Sequence, residues 1–250
     1  MSLLDSARVL GAMARVTAPT LVEAMRGALT RNAVDERTRW FGRRVVDLLD
    51  IDLVATGAAQ VPPGRAYVYM ANHQSHLDIP VLYATLPSPT IRMVGKAELF
   101  RIPLWGRAAR TAEYIEIDRG DHAKAMASMA AAGRLIADGV SVFIAPEGTR
   151  SQDGRLGPLK KGGFHLALGA HAPIVPVAIR GTIDILPRGA SVARRGQRVE
   201  VTIGAPIPTE GRALAGLMAE VHAFLVAHVG ASQHAPGRPA RSPSSPRSPR

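Results

Sequence analysis

Apolar residues recur at helical spacing at the start of the chain: Leu3, Ala7, Leu10 and Ala14, with Met13 beside them. Arg8 and Arg15 stand seven apart against that stripe. The pattern predicts a helix over 3–16, broken by Thr17 and Pro19. It predicts a second helix from Thr20 to about Leu29 and a third through Asp35–Arg44. Amphipathic helices with arginine flanks suit a bilayer interface, and they suit packing on a core equally well.

After this segment the pattern changes. "RVVDLLDIDLVATG" reads as a strand or hairpin ended by Gly57, and "AYVYMAN" as a buried strand. "LDIPVLYATL" reads as a helix with Asp78 and Pro80 in its first turn. "TIRMVGK" is a strand, "ELFRIPLWGRAAR" is short helical pieces broken at Pro103, and "AEYIEIDR" is a strand. A clean helix starts near Asp121 and stops at Gly139. "VSVFIAPEG" is a strand, "KGGFHLALGAHA" a helix, and "PIVPVAIRG" and "RVEVTIGAPI" strands; an amphipathic helix from Glu210 to Gly230 follows. Strands alternating with helices predict an α/β fold with a mixed, partly parallel sheet flanked by helices, preceded by an N-terminal amphipathic helical segment. In such sheets ligands sit outside the carboxyl ends of strands.

Composition narrows the picture. The 46% apolar fraction supports a substantial core, and only 4% aromatics leave it to Val, Leu, Ile, Ala and Met. Absence of cysteine excludes a disulfide framework, a thiolate metal site and a cysteine nucleophile. The +11 net charge favours anionic partners. Part of it lies in the last residues, "HAPGRPARSPSSPRSPR", with four Arg, five Pro and no acid. Such a segment cannot bury a core, so 231–250 reads as a disordered basic tail. Its charges read as solvated rather than as a nucleic-acid site. Charges interrupt the N-terminal apolar residues before the roughly 20 that a membrane span needs. If the chain touches a membrane, it is expected to lie on it rather than cross it.

The chemistry-bearing residues fall at strand ends. His73 follows "AYVYMAN", Lys96 ends "TIRMVGK", Arg119 follows "AEYIEID", and Glu147 and Arg150 follow "VSVFIAP". His73 and Asp78 are spaced so that a carboxylate at a helix start turns back to the imidazole. That makes a general base with an orienting acid. The competing reading is a helix cap beside a loop histidine. "HQSHLD" also admits a metal site of His73, His76 and Asp78, which makes a metallohydrolase the alternative function. The remaining histidines form no second cluster, although folding could bring His165 near, and no metal is expected. In "APEGTRS", Gly148 allows a tight turn and Arg150 offers a guanidinium to phosphate or carboxylate. A surface Glu–Arg pair is the plainer alternative. "LKKGG" places two lysines before a helix, facing a phosphate or solvent.

Taken in order, these blocks resemble the glycerolipid acyltransferases over roughly residues 55–205. "NHQSHLD" matches an Asn-His-x-Ser-x-x-Asp block, and "GKAELFRIPLWG" with "IDR" matches Lys-x-Glu-Leu, Pro-x-x-Gly and a following Arg. "FIAPEGTRS" matches the Glu-Gly-Thr-Arg block, and "APIVPVAIRG" the closing Pro-containing strand. Ala112 and Glu113 stand near the place of a glycine pair in the family, which bears on acceptor specificity.

The resemblance implies an enzyme with His73 and Asp78 as catalytic residues. His73, oriented by Asp78, would deprotonate the sn-2 hydroxyl of lysophosphatidate for attack on an acyl thioester, giving phosphatidate. Another lysolipid or alcohol is the alternative acceptor. The implied co-substrate is acyl-coenzyme A or acyl-acyl carrier protein, with no bound cofactor. Substrate-binding residues would be Glu147, Gly148, Thr149, Arg150, Lys96 and Arg119, the cations holding the acceptor's phosphate. Glu147 would bind the glycerol part or orient Arg150. Ile79–Leu86 and Leu99–Ala109 would wall an acyl groove. Implied partners are the lysophospholipid, the thioester donor and an anionic membrane surface, not nucleic acid. The expected place is the cytoplasmic face of the cell membrane, peripheral or monotopic. Residues 1–44 would be the interfacial helices, 45–230 the acyltransferase domain and 231–250 the tail.

Overall fold

The computed structural model describes residues 3–103, 105–118, 122–190 and 192–230. Two long helices open the chain, α1 (Leu3–Arg26) and α2 (Arg31–Leu48). β1 (Asp52–Thr56), β2 (Val68–Ala71), α3 (Asp78–Thr85), β3 (Ile91–Lys96), α4 (Ala97–Phe100) and α5 (Trp105–Thr111) follow. Next come β4 (Ile115–Ile117), α6 (His122–Ala137), β5 (Ser141–Ile144), α7 (Gly162–Gly169) and β6 (Ile174–Arg180). α8 (Thr182–Ile185), β7 (Arg198–Ile203) and α9 (Leu214–Val229) close the described chain.

The strands form one sheet in the order β1-β7-β6-β2-β5-β3-β4. β2 to β6 all run parallel; β7 is antiparallel to β6, and β1 is parallel to β7. This is the mixed, mostly parallel α/β sheet that the alternation of elements predicts. The period of two sorts side chains between two cores. Tyr69, in register with Phe143 and Val175, faces one core with Val81 and Leu82 of α3. Val68 and Met70, in register with Val142 and Ile144, face the other with Phe164, Leu217 and Val221. Because helices cover both faces, β2 is buried at every residue.

The N-terminal helices differ from the sequence pattern. α1 runs unbroken through Thr17 and Pro19. The helix tolerates the lost N–H because neighbouring contacts hold the turn: Thr20 Oγ1 donates to Val16 O at 2.7 Å, and Arg37 of α2 bonds Glu23 at 2.9 Å. Residues 44–48, read as the start of a strand, instead finish α2, with Val45 and Leu48 buried one turn apart. Gly42 makes the close α2–α3 contact possible, since a Cβ there would stand 2.5 Å from Pro80 O. α2 is pinned to the sheet by a buried charge: Arg92 on β3, fully buried, bonds Asp35 of α2 and Glu113, which also pairs with Arg31 at 2.6 Å. Glu113 has a φ of +65°, a conformation in which glycine is the usual occupant. Its carboxylate thus serves the helix–sheet junction, and the Arg31 hydrogen bond holds its pKa below the ordinary value.

Candidate active site

The site forms where β2, β5 and β6 end side by side. The ladder of β2 and β6 does not stop at the last strand residue. Asn72 continues it with its side chain: Nδ2 donates to Ile179 O at 2.9 Å, and Ile179 N donates to Oδ1 at 2.8 Å. That side-chain pairing satisfies the neighbouring strand while the main chain turns away at His73. The turn after β5 then takes both backbone groups of His73. His73 N donates to Glu147 Oε1 at 2.7 Å, and Ser151 N donates to His73 O at 2.7 Å.

With its backbone held, the imidazole meets Asp78 at 2.7 Å between Nδ1 and Oδ2. Asp78 is fully buried in the first turn of α3. Its Oδ2 also accepts from Gln74 N at 2.7 Å and Ser75 N at 3.0 Å, and Oδ1 accepts from Thr182 Oγ1. A carboxylate surrounded by donors stays an acceptor, so the His73 proton belongs on Nδ1 and the lone pair on Nε2. His73 remains 21% exposed, and Nε2 bonds to no described residue. The arrangement can accept a proton from a group docked at the sheet edge and share the resulting charge with Asp78.

Glu147 is nearly buried at 5% exposure. Its second oxygen, Oε2, accepts from Gly157 N at 2.7 Å. Burial raises its pKa, and the Gly157 and His73 N–H groups oppose that rise. Both oxygens therefore brace backbone, a role that neither "glycerol contact" nor "Arg150 orienter" anticipated. Gly148 follows in the left-handed region at φ +71°, and Thr149 is exposed at the tip of the turn.

Arg150 is partly buried and makes no ion pair with a described residue. Partial burial and then the charge of Arg150 hold the pKa of His76 below its ordinary value. Lys96 is exposed at the end of β3, with β5 between it and β2. Arg119 lies outside the described residues. Among the described residues no group of three or more His, Cys, Asp or Glu side chains could hold a metal ion. Asp78 Oδ2 is already filled by three N–H donors, so His73, His76 and Asp78 do not present a common face. Of the expected groove walls, α3 is spent largely in the core through Val81 and Leu82, whereas Leu99 and Ile102 are exposed.

Several contributors escaped the sequence pattern. Thr182 follows the strand "PIVPVAIRG" at Gly181, one more strand end, and that was its available signal. Ser75 stands in the "NHQSHLD" block, where the sequence pattern gives it no role; fully buried, it donates to Leu186 O at 2.7 Å and ties the histidine loop to the segment after β6. Gly157 had no signal short of the folded loop.

A family model described as Acyltransferase matches residues 52–180. The chain is 36% identical over 167 residues to human 1-acyl-sn-glycerol-3-phosphate acyltransferase alpha, covering 66% of this chain and 58% of that protein. It is 38% identical over 140 residues to the chloroplastic 1-acyl-sn-glycerol-3-phosphate acyltransferase of Brassica napus, covering 56% and 40% respectively. The chain thus spans 40% to 58% of the length of these two curated relatives. Its fold matches the crystal structure of the 1-acyl-sn-glycerophosphate acyltransferase from Thermotoga maritima with a TM-score of 0.76 at 26% identity, covering 91% of this chain and 94% of that one.

Proposed function

Because the chain belongs to the acyltransferase family, we propose that it moves a fatty acyl group from an acyl thioester to the sn-2 hydroxyl of lysophosphatidate, giving phosphatidate. The observation that carries this reading is the braced pair of His73 and buried Asp78, with Nε2 bonded to no described residue and the Arg150 turn tied to the His73 backbone through Ser151 N. The relatives' names supply the acceptor.

In this mechanism His73 Nε2 takes the proton of the acceptor hydroxyl as its oxygen attacks the thioester carbonyl carbon. Asp78 holds the tautomer and stabilises the imidazolium, as in a histidine–carboxylate pair of any fold. The tetrahedral intermediate collapses with cleavage of the C–S bond. The thiolate leaves and recovers the proton from the imidazolium. A thiol is a good leaving group, so no separate strong acid is required, and no acyl-enzyme is formed. Coenzyme A or acyl carrier protein carries the donor.

Arg150 and Lys96, with Arg119, hold the acceptor's phosphate. Glu147 acts through His73 by fixing its backbone. The catalytic unit is 45–230, and residues 1–44 dock on an anionic membrane surface at its cytoplasmic face. Exposed Val22 and Met25 on α1, Trp40 on α2, and Leu99 and Ile102 support that docking. No helix among the described residues is long and apolar enough to cross a membrane.

The test is acyl transfer by purified protein from labelled acyl-coenzyme A to a panel of lysolipids, with and without chelator. Labelled phosphatidate from lysophosphatidate, unaffected by chelator, is expected. Transfer only to another head group moves the acceptor assignment, and activity stripped by chelator defeats the metal-free mechanism.

A further inference from the structure

We infer that Lys160 is a phosphate ligand of this site, acting together with Arg150. The inference deepens the acyl-transfer reading and rests on it for the identity of the phosphate. It begins with the segment after the Glu-Gly-Thr-Arg turn, which comes back across it. Gly157 N bonds Glu147 Oε2 at 2.7 Å, and Lys160 N donates to Pro146 O at 2.8 Å. The Lys160 side chain is exposed, and its stem lies along Gly148. A Cβ placed on Gly148 would stand 3.1 Å from both Cδ and Nζ of Lys160. The ammonium is thereby delivered to the turn that carries Arg150 two residues on.

Neither cation makes an ion pair with a described acid. The nearest carboxylate in the turn, Glu147, has both oxygens committed to backbone N–H groups. Two cations brought to one turn without a described counter-charge favour an anion between them. A phosphate monoester carries about −1.5 to −2 at neutral pH and three acceptor oxygens, so it takes several donors at once, and Lys160 adds one beside the cations named above. Arg150 offers a planar fork to two oxygens, and an ammonium suits the third. Ordering the lysine stem over Gly148 also lowers the entropy lost when that contact forms.

The shared ligand chemistry is phosphate, from the acceptor's monoester or from a coenzyme A donor. Lys160→Met keeps the apolar stem over Gly148 and removes the charge; Lys160→Arg keeps the charge. Titration of the full chain with inorganic phosphate and with glycerol 3-phosphate needs no turnover. The Kd for both is expected to rise about tenfold in Lys160→Met, as for loss of one charge-assisted hydrogen bond, and to recover in Lys160→Arg.

Kinetics then identify the source. A raised KM for lysophosphatidate alone assigns the acceptor's phosphate. A raised KM for acyl-coenzyme A, absent with an acyl-pantetheine thioester, assigns the donor's. Equal phosphate affinity in the wild-type protein and Lys160→Met overturns the inference. A wild-type protein that binds phosphate through Lys160 yet transfers no acyl group overturns the acyl-transfer reading and leaves the phosphate site standing.

Discussion

Removing the Glu147 carboxylate should damage turnover without touching acceptor affinity. Its two oxygens accept from His73 N and Gly157 N, each at 2.7 Å, in a nearly buried setting. Glu147→Ala leaves both N–H groups without acceptors, at about 1–3 kcal/mol each, so roughly 2–6 kcal/mol of folding stability goes. Glu147→Gln keeps one acceptor and turns an NH₂ toward the other donor, costing about half of that. Freed backbone at His73 displaces the imidazole, and a shift of about 1 Å costs on the order of 10²-fold in rate. Initial rates against acceptor concentration, beside urea unfolding, read both effects. A variant with unchanged kcat and a raised KM for acceptor refutes the reasoning, because the carboxylate would then be touching substrate.

The same group carries a pH signature. Burial raises the Glu147 pKa above 4.5, so the native protein holds this proton to higher pH than the unfolded chain does. Glu147 therefore contributes a fall in stability as pH rises from 4.5 toward the raised value. The stability difference between wild type and Glu147→Gln should decline over that window, as read by urea titrations at successive pH values; an opposite slope contradicts the assigned cause.

Further outcomes follow from other contacts. Asp78→Asn should lower kcat by about 10²–10⁴-fold, the scale of general-base catalysis, because an amide cannot hold the Nδ1 proton and also satisfy its other donors; steady-state rates check it. Asp35→Ala should cost about 3–5 kcal/mol in denaturant unfolding, since it removes a partner of fully buried Arg92. His76→Ala should retain activity in the same acyl-transfer assay, since His76 bonds neither to Asp78 nor to Glu147.

Much of this was legible along the chain because local pattern and tertiary structure agree. The apolar strands and the turn residues at Gly148 and Gly139 mark their own boundaries, and the spacing of His73 and Asp78 places a carboxylate in the first turn of α3. Two kinds of feature stayed hidden. Pro19 looks like a helix breaker, yet tertiary contacts through Thr20 and Arg37 keep α1 whole. Non-local side-chain hydrogen bonds leave no periodic trace: those of Glu147 with His73 N and Gly157 N, and of Thr182 with Asp78, emerge only when three strand ends meet. Glu113 illustrates a third case. It adopts a φ that glycine usually occupies, while its charge works at the α2–β3 junction.

The central claim is that His73 Nε2 removes the acceptor proton in a transfer that forms no acyl-enzyme. Its most direct test is single-turnover transfer of labelled acyl-coenzyme A to lysophosphatidate by the wild-type protein and by His73→Ala. The account predicts labelled phosphatidate from the wild type, no labelled protein at any time, and a loss on the order of 10²–10⁴-fold in His73→Ala. Full activity in His73→Ala, or label retained covalently on the wild-type chain, would contradict it.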